Sequence, residues 1–251
     1  MIFYFQKIIV YYVYENNREE IYKKMDIDRC IEFATEMHKD QKRKDGTDYI
    51  THPLRVALYI KNQGYGPEYQ ITAIFHDLLE DTQADEKSIL ELSNEDVLKA
   101  VKLLTKEKGI PGDVYIREIL KNPIAKAVKN ADRIDNLTDA LTADLSFVKG
   151  YIHNTKRFYC KRFSKELDDA FNTLERVFKE RSSFTYTIDS SFSNMPPLYR
   201  QNKLNEAWSF NYQSKKWTSC SPYFWASIED NALNITESEA IEYGGNRVKD
   251  L

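Results

Sequence analysis

The stretch Ile74-Phe75-His76-Asp77-Leu78-Leu79-Glu80-Asp81-Thr82 sets a histidine beside an aspartate inside an otherwise apolar run. The pattern from Glu68 to Leu79 predicts a buried helix. An adjacent His-Asp pair offers a divalent cation one nitrogen and one carboxylate donor. Side chains of neighbouring helix residues diverge by about 100°. A cation held by this pair would therefore sit near the helix edge and take further donors from elsewhere in the chain.

Two such donors stand out. His52 lies in Thr51-His52-Pro53, which opens a helix with proline where its missing N–H costs least. Asp132 lies in Lys129-Asn130-Ala131-Asp132-Arg133-Ile134-Asp135-Asn136-Leu137. Together with His76 and Asp77 they make a set of two histidines and two aspartates. A lone histidine or aspartate is more often a surface residue or a satisfied polar group. Here, however, two of only four histidines fall into the pattern. Mixed imidazole and carboxylate donors suit Mn²⁺, with Fe²⁺ or Zn²⁺ as alternatives.

Outward from this centre, helical periodicity dominates residues 26–181. Ile27, Cys30, Ile31, Ala34, Met37, His38 and Gln41 mark one helix, in which His38 reads as a core histidine. A polar loop follows at Lys42 to Thr47. Gly64-Tyr65-Gly66-Pro67 and Gly109-Ile110-Pro111-Gly112 are breaks, and Pro123 starts a helix to about Leu141. A long helix is predicted from Phe147 to Arg181. This is an all-α domain. Residues 1–25 read as an N-terminal extension, rich in β-branched and aromatic types over 2–14. Residues 182–200 read as a linker, rich in serine and closed by Pro196-Pro197. Residues 201–251 read as a small, aromatic-rich, partly β or irregular appendage holding all three tryptophans. So short a module is expected to dock on the helical domain or on a partner protein.

Composition narrows the classes. Of 251 residues, 42% are hydrophobic and the net charge is −3. No global field recruits nucleic acid or an anionic membrane, and neither is expected as a partner. The run at 2–14 is too short and too interrupted, by Gln6 and Lys7, to span a bilayer. Cys30, Cys160 and Cys220 are odd in number and far apart, which suits free thiols in a reducing, cytoplasmic setting. Asn136-Leu137-Thr138 and Asn234-Ile235-Thr236 fit a glycosylation acceptor, but no secretory signal supports that use.

The order His…His-Asp…Asp resembles that of the HD superfamily, and the surrounding residues resemble its guanosine 3′,5′-bispyrophosphate hydrolases. Four stretches carry the likeness: Gln41 to Pro53, His76 to Thr82, Val101 to Lys106, and Val128 to Leu137. Asp48 stands where the family usually has proline. The resemblance covers roughly residues 26–180 and implies an HD-type helical fold. It implies His52, His76, Asp77 and Asp132 as metal ligands. It also implies hydrolysis of a 3′-pyrophosphate by a metal-activated water, on a small-molecule nucleotide.

Glu80 and Asp81, one turn beyond the His-Asp pair, would orient that water or shuttle its proton. Otherwise they are an acidic cluster opening the next segment. Arg43 and Lys44 match a pair that packs around the guanine base, or else form a solvated basic loop. Lys129, Asp132 and Asn136 are spaced to share one helix face, and Asn136 matches a nucleotide-contacting asparagine. Arg133 would either balance carboxylates or bind phosphate. Two other functions stay open: an HD phosphohydrolase acting on a different nucleotide, and a nucleotide-binding regulator without catalysis.

Overall fold

A computed structural model describes residues 25–189, 197–204, 206–220 and 232–245. The extension at 2–14, the serines of 190–193 with Pro196, and Trp225 lie outside the described residues.

Ten helices precede the tail among these residues: α1 (Ile27–Met37), α2 (Thr51–Asn62), α3 (Pro67–Phe75), α4 (Leu78–Asp81), α5 (Glu86–Leu92), α6 (Glu95–Leu104), α7 (Gly112–Ile119), α8 (Pro123–Asp139), α9 (Leu145–Phe158) and α10 (Lys165–Ser182). Their starts follow local chemistry. Asp26, Asp85 and Asn94 cap α1, α5 and α6 by accepting backbone N–H bonds, which removes orphan donors from each first turn. Pro67 opens α3 after Gly66. α3 is the central helix: Ile71, Ala73, Ile74 and Phe75 are buried to within 1%, and it packs against α1, α2 and α6. Burying Phe75 alone contributes about 1.5–3 kcal/mol.

Two predicted helices are each broken. The run from Glu68 to Leu79 stops at Phe75, passes through His76 and Asp77 and resumes as α4. The helix predicted over 147–181 is interrupted between Phe158 and Lys165. There Lys161 takes a left-handed φ of 63°, and Ser164 Oγ accepts the Leu167 N–H at 3.2 Å to start α10.

The all-α description covers only the helical body; the tail, expected to be partly β or irregular, carries a sheet. β1 (Phe184–Asp189), β2 (Leu198–Asn202), β3 (Ala207–Asn211), β4 (Lys216–Cys220) and β5 (Ala232–Ile235) form one antiparallel sheet in the order β4-β3-β2-β1-β5. β1 and the start of β2 fall inside the stretch read as linker. Strand alternation explains this: Tyr186 and Ile188 are buried, with Leu198 and Phe210 in the same small core. α11 (Glu237–Gly244) packs on β1 and β2, opened by a capping box between Thr236 and Glu239. The described residues divide into two compact units, one up to Thr138 with Lys156–Ala170, and one of Asp139–Thr155 with those from Phe171 onward. α9 and α10 thus give residues to both. No described helix is long and apolar enough to cross a membrane.

Candidate metal centre

The break between α3 and α4 brings His76 and Asp77 to one point. His76 caps α3 with φ −59°, and Asp77 turns to φ −102°, ψ −5°. The expected divergence of neighbouring helical side chains is thereby removed, and His76 Nε2 lies 3.2 Å from Asp77 Oδ2. His52, at the start of α2, brings its Nε2 to 3.2 Å from Asp132 Oδ1 and 3.8 Å from Asp77 Oδ2. His76 Nε2 is 3.8 Å from Asp132 Oδ1. Donor atoms of His52, His76 and Asp132 all fall within 4.8 Å of one another, and all three residues are buried.

The tautomers follow from the outer partners. His76 Nδ1 is 2.7 Å from the Ala73 carbonyl oxygen, which only accepts, so Nδ1 carries the hydrogen. His52 Nδ1 is 2.6 Å from Asp135 Oδ2 and donates likewise. Asp135 is in turn gripped by Arg55, whose Nε and Nη2 donate to its two oxygens at 2.7 Å each. In the neutral imidazoles both Nε2 atoms then present lone pairs to carboxylate oxygens. His76 Nε2 is buried with no hydrogen-bond partner among the described residues. Lone pairs of nitrogen and oxygen that converge in this way fit a cation between them.

Without a cation, the same carboxylates favour a proton on Nε2 in its place. Burial disfavours a charged His76, but the Asp77 and Asp132 carboxylates outweigh it and raise its pKa to about 10. Burial pushes the Asp77 carboxyl up, yet His76 holds it below the ordinary range. Asp132 is likewise held down, against burial, by Lys129 and both histidines. Lys129 Nζ is 2.9 Å from Asp132 Oδ2. Its pKa is raised because Asp132 and Tyr115 outweigh the cost of burying it.

Several other predicted residues join this cluster. Asn136 Nδ2 donates to Asp132 Oδ1 at 2.5 Å, so Lys129, Asp132 and Asn136 share one face of α8. Arg43 Nη2 donates to Asn136 Oδ1 at 3.1 Å, which ties the polar loop to the same face. That loop turns at Gly46, with φ 88°, a conformation glycine adopts without steric cost.

Asp81 is joined to Asp77 through Tyr49, whose hydroxyl donates to Asp77 Oδ2 at 2.7 Å and to Asp81 Oδ2 at 3.1 Å. Burial and both carboxylates raise the Tyr49 pKa and keep it a donor. Glu80 turns another way, its Oε2 accepting the Lys106 N–H at 3.0 Å. Lys44 is exposed, and Arg133 stacks 3.8 Å from the Tyr159 ring centroid. His38 is buried, stacked on Tyr49 at 4.7 Å, while His153 is exposed.

Sequence reasoning missed Asp135 and Arg55. One signal was present: Arg55 follows His52 by three residues, and Asp135 follows Asp132 by three. Each pair therefore shares a helix face.

An HD domain model matches residues 30–113. A guanosine-3′,5′-bis(diphosphate) 3′-pyrophosphohydrolase of Aquifex aeolicus is 40% identical over 120 residues, covering 45% of this chain and 17% of that protein. One of Danio rerio, designated MESH1, is 31% identical over 118 residues, covering 43% of this chain and 66% of that protein. The chain thus spans only part of the length of these curated relatives. A solved structure described as "A metazoan ortholog of SpoT hydrolyzes ppGpp and plays a role in starvation responses" superposes with a TM-score of 0.51. It is 22% identical and covers 60% of this chain and 93% of that one, a likeness of fold. Residues 30–113 thus match an HD domain, in a chain similar to guanosine-3′,5′-bis(diphosphate) 3′-pyrophosphohydrolases.

Proposed function

We propose that the chain hydrolyses the 3′-pyrophosphate of guanosine 3′,5′-bis(diphosphate) to GDP and pyrophosphate, with His52, His76, Asp77 and Asp132 holding a divalent cation. The observation that carries this reading is the convergence of His52 Nε2, His76 Nε2 and the Asp132 carboxylate in a buried cluster. The names of the relatives support the substrate. Mn²⁺ is the ion of choice for such mixed donors, ahead of Fe²⁺ or Zn²⁺. A bound divalent cation supplies Lewis acidity toward water and the phosphoryl oxygens.

The chain's own residues do the rest. Water attacks the phosphorus attached to the 3′ oxygen, the bond between them breaks, and the 3′ oxygen takes up a proton. Asp81, held beside Asp77 by the Tyr49 hydroxyl, is placed to accept the water's proton. Glu80 positions the segment at Lys106. Lys129 offsets negative charge on Asp132. Arg43, fixed by Asn136, and Lys44 flank the base and its phosphates, as a planar stacking cation and a point charge do; Arg133 lies further along α8. We assign this activity to residues 26–181 and place the protein in the cytoplasm, in keeping with three cysteines, Cys30, Cys160 and Cys220, that lie far apart in the sequence.

The test is incubation of the chain with guanosine 3′,5′-bis(diphosphate), with and without Mn²⁺, while pyrophosphate is followed. Release that requires metal and disappears in His76→Ala supports the proposal. Absence of release with metal present, or faster turnover of an adenosine analogue, overturns it.

A further inference from the structure

The C-terminal unit contains a cavity that the proposed reaction does not use. Its volume is about 520 Å³, and its walls include Phe184, Tyr186, Arg200, Ile235, Thr236 and Glu237. That size falls within the range of pockets that hold small molecules. Arg200 sits in the middle of β2, paired with Tyr186 of β1 on one side and Trp208 of β3 on the other. Residues so paired share a face of the sheet, and this face carries the small core. The guanidinium carbon lies 4.3 Å from the Phe184 ring centroid, 4.4 Å from Trp217 and 5.3 Å from Trp208. Arg200 is only 5% exposed, and its Nε and Nη1 have no hydrogen-bond partner among the described residues.

Such a cation is incomplete. Burial lowers its pKa to about 10, opposed only in part by Tyr186. Each aromatic face returns part of that cost through cation–π attraction. A buried charge without a counter-ion is costly, and beyond the hydrogen bond to Tyr186 the bonds of Nε and Nη1 stay unmade. An anion entering the cavity would provide the missing acceptors. Phe184 and Ile235 offer it apolar walls, while the Glu237 carboxylate in the lining disfavours a second negative charge.

We propose that this cavity binds a small organic monoanion, a carboxylate, whose charged end pairs with Arg200 and whose apolar body rests on Phe184 and Ile235. The site is separate from the metal cluster and does not depend on the reaction assigned to it.

The test uses the full chain and benzoate as probe, read through the emission of Trp208 and Trp217 beside the guanidinium. Sodium chloride at matched ionic strength is the control, and inorganic phosphate is the comparison anion. A saturable response to benzoate is expected, with apparent affinity about tenfold or more weaker in Arg200→Met, the loss typical of a charge-assisted hydrogen bond. Ile235→Phe, which fills the cavity and leaves Arg200 in place, should weaken it as well. That variant decides the matter if Arg200→Met does not fold by circular dichroism. A response equal to that of chloride, or saturation that survives in Ile235→Phe, overturns the proposal. Tighter binding of phosphate than of benzoate overturns the assignment to carboxylates.

Discussion

Replacing Asp135 by asparagine should loosen His52 without removing any proposed ligand. Asp135 accepts from His52 Nδ1 at 2.6 Å and from Arg55 Nε and Nη2 at 2.7 Å. The variant removes the negative charge and turns one oxygen into a donor that opposes either His52 or Arg55. The Arg55 side chain is 42% exposed and that of Asp135 14%, so losing this ion pair costs about 0.2–1 kcal/mol after solvent screening. The larger effect is on the imidazole. Outer partners of ligating histidines contribute about 10–100-fold in metal affinity, or about 1.4–2.7 kcal/mol.

The assay is calorimetric titration of metal-stripped protein with Mn²⁺, beside a thermal melt. A variant that folds normally and binds Mn²⁺ as tightly as the parent chain would refute the reasoning. The pH dependence has a definite sign. Burial raises the Asp135 carboxyl, but His52 and Arg55 outweigh it and hold it below its ordinary value. The stability it contributes in the metal-free chain is complete above the ordinary carboxylate pKa. It is lost as pH falls through the lower folded value. In Asp135→Asn that part of the acid dependence should vanish from the melting curves.

Tyr49→Phe keeps the ring stacked on His38 and deletes only the hydroxyl between Asp77 and Asp81. Hydrogen bonds to charged groups contribute about 1.5–3 kcal/mol, so pyrophosphate release should fall by about 10–100-fold; an unchanged rate would exclude the hydroxyl from the reaction. Gly112→Ala places a Cβ 2.9 Å from the Phe158 ring, and overpacking of this kind costs about 1–3 kcal/mol, read as a lowered melting temperature. Cys30 is buried, and desolvation pushes its pKa up to about 12. Alkylation at mildly alkaline pH should therefore spare it in the folded chain, and mass spectrometry showing early modification of Cys30 would contradict that burial.

Much of the helical body is legible in the sequence because its signals are local: Asp26, Asp85 and Asn94 cap, Pro67 opens, and apolar residues recur at helical spacing. The two breaks are not. Neither Phe75-His76-Asp77 nor Cys160-Lys161-Arg162 contains glycine or proline, and both sit within good periodicity, so the interruption comes from tertiary packing. Ser164, three residues before Leu167, was a readable cap within a run whose length suggested continuity. The four proposed ligands are legible from residue type and order. Asp135 becomes visible only when α2 and α8 are set side by side. In the tail, the alternation at Phe184, Tyr186 and Ile188 is a strand pattern hidden by its serine-rich surroundings. Arg200 then enters the sheet core through a register that composition does not reveal.

The metal cluster draws its donors from the start of α2, the junction of α3 with α4, and the middle of α8. These segments are far apart along the chain. A cation held there would join segments distant in sequence in the native chain alone, since the unfolded chain has no such site. Folding and metal occupancy are then linked, since affinity for the native cluster enters the unfolding equilibrium through mass action. The break at His76-Asp77 thus makes two adjacent residues serve as a single tether, with little chain between them left to order.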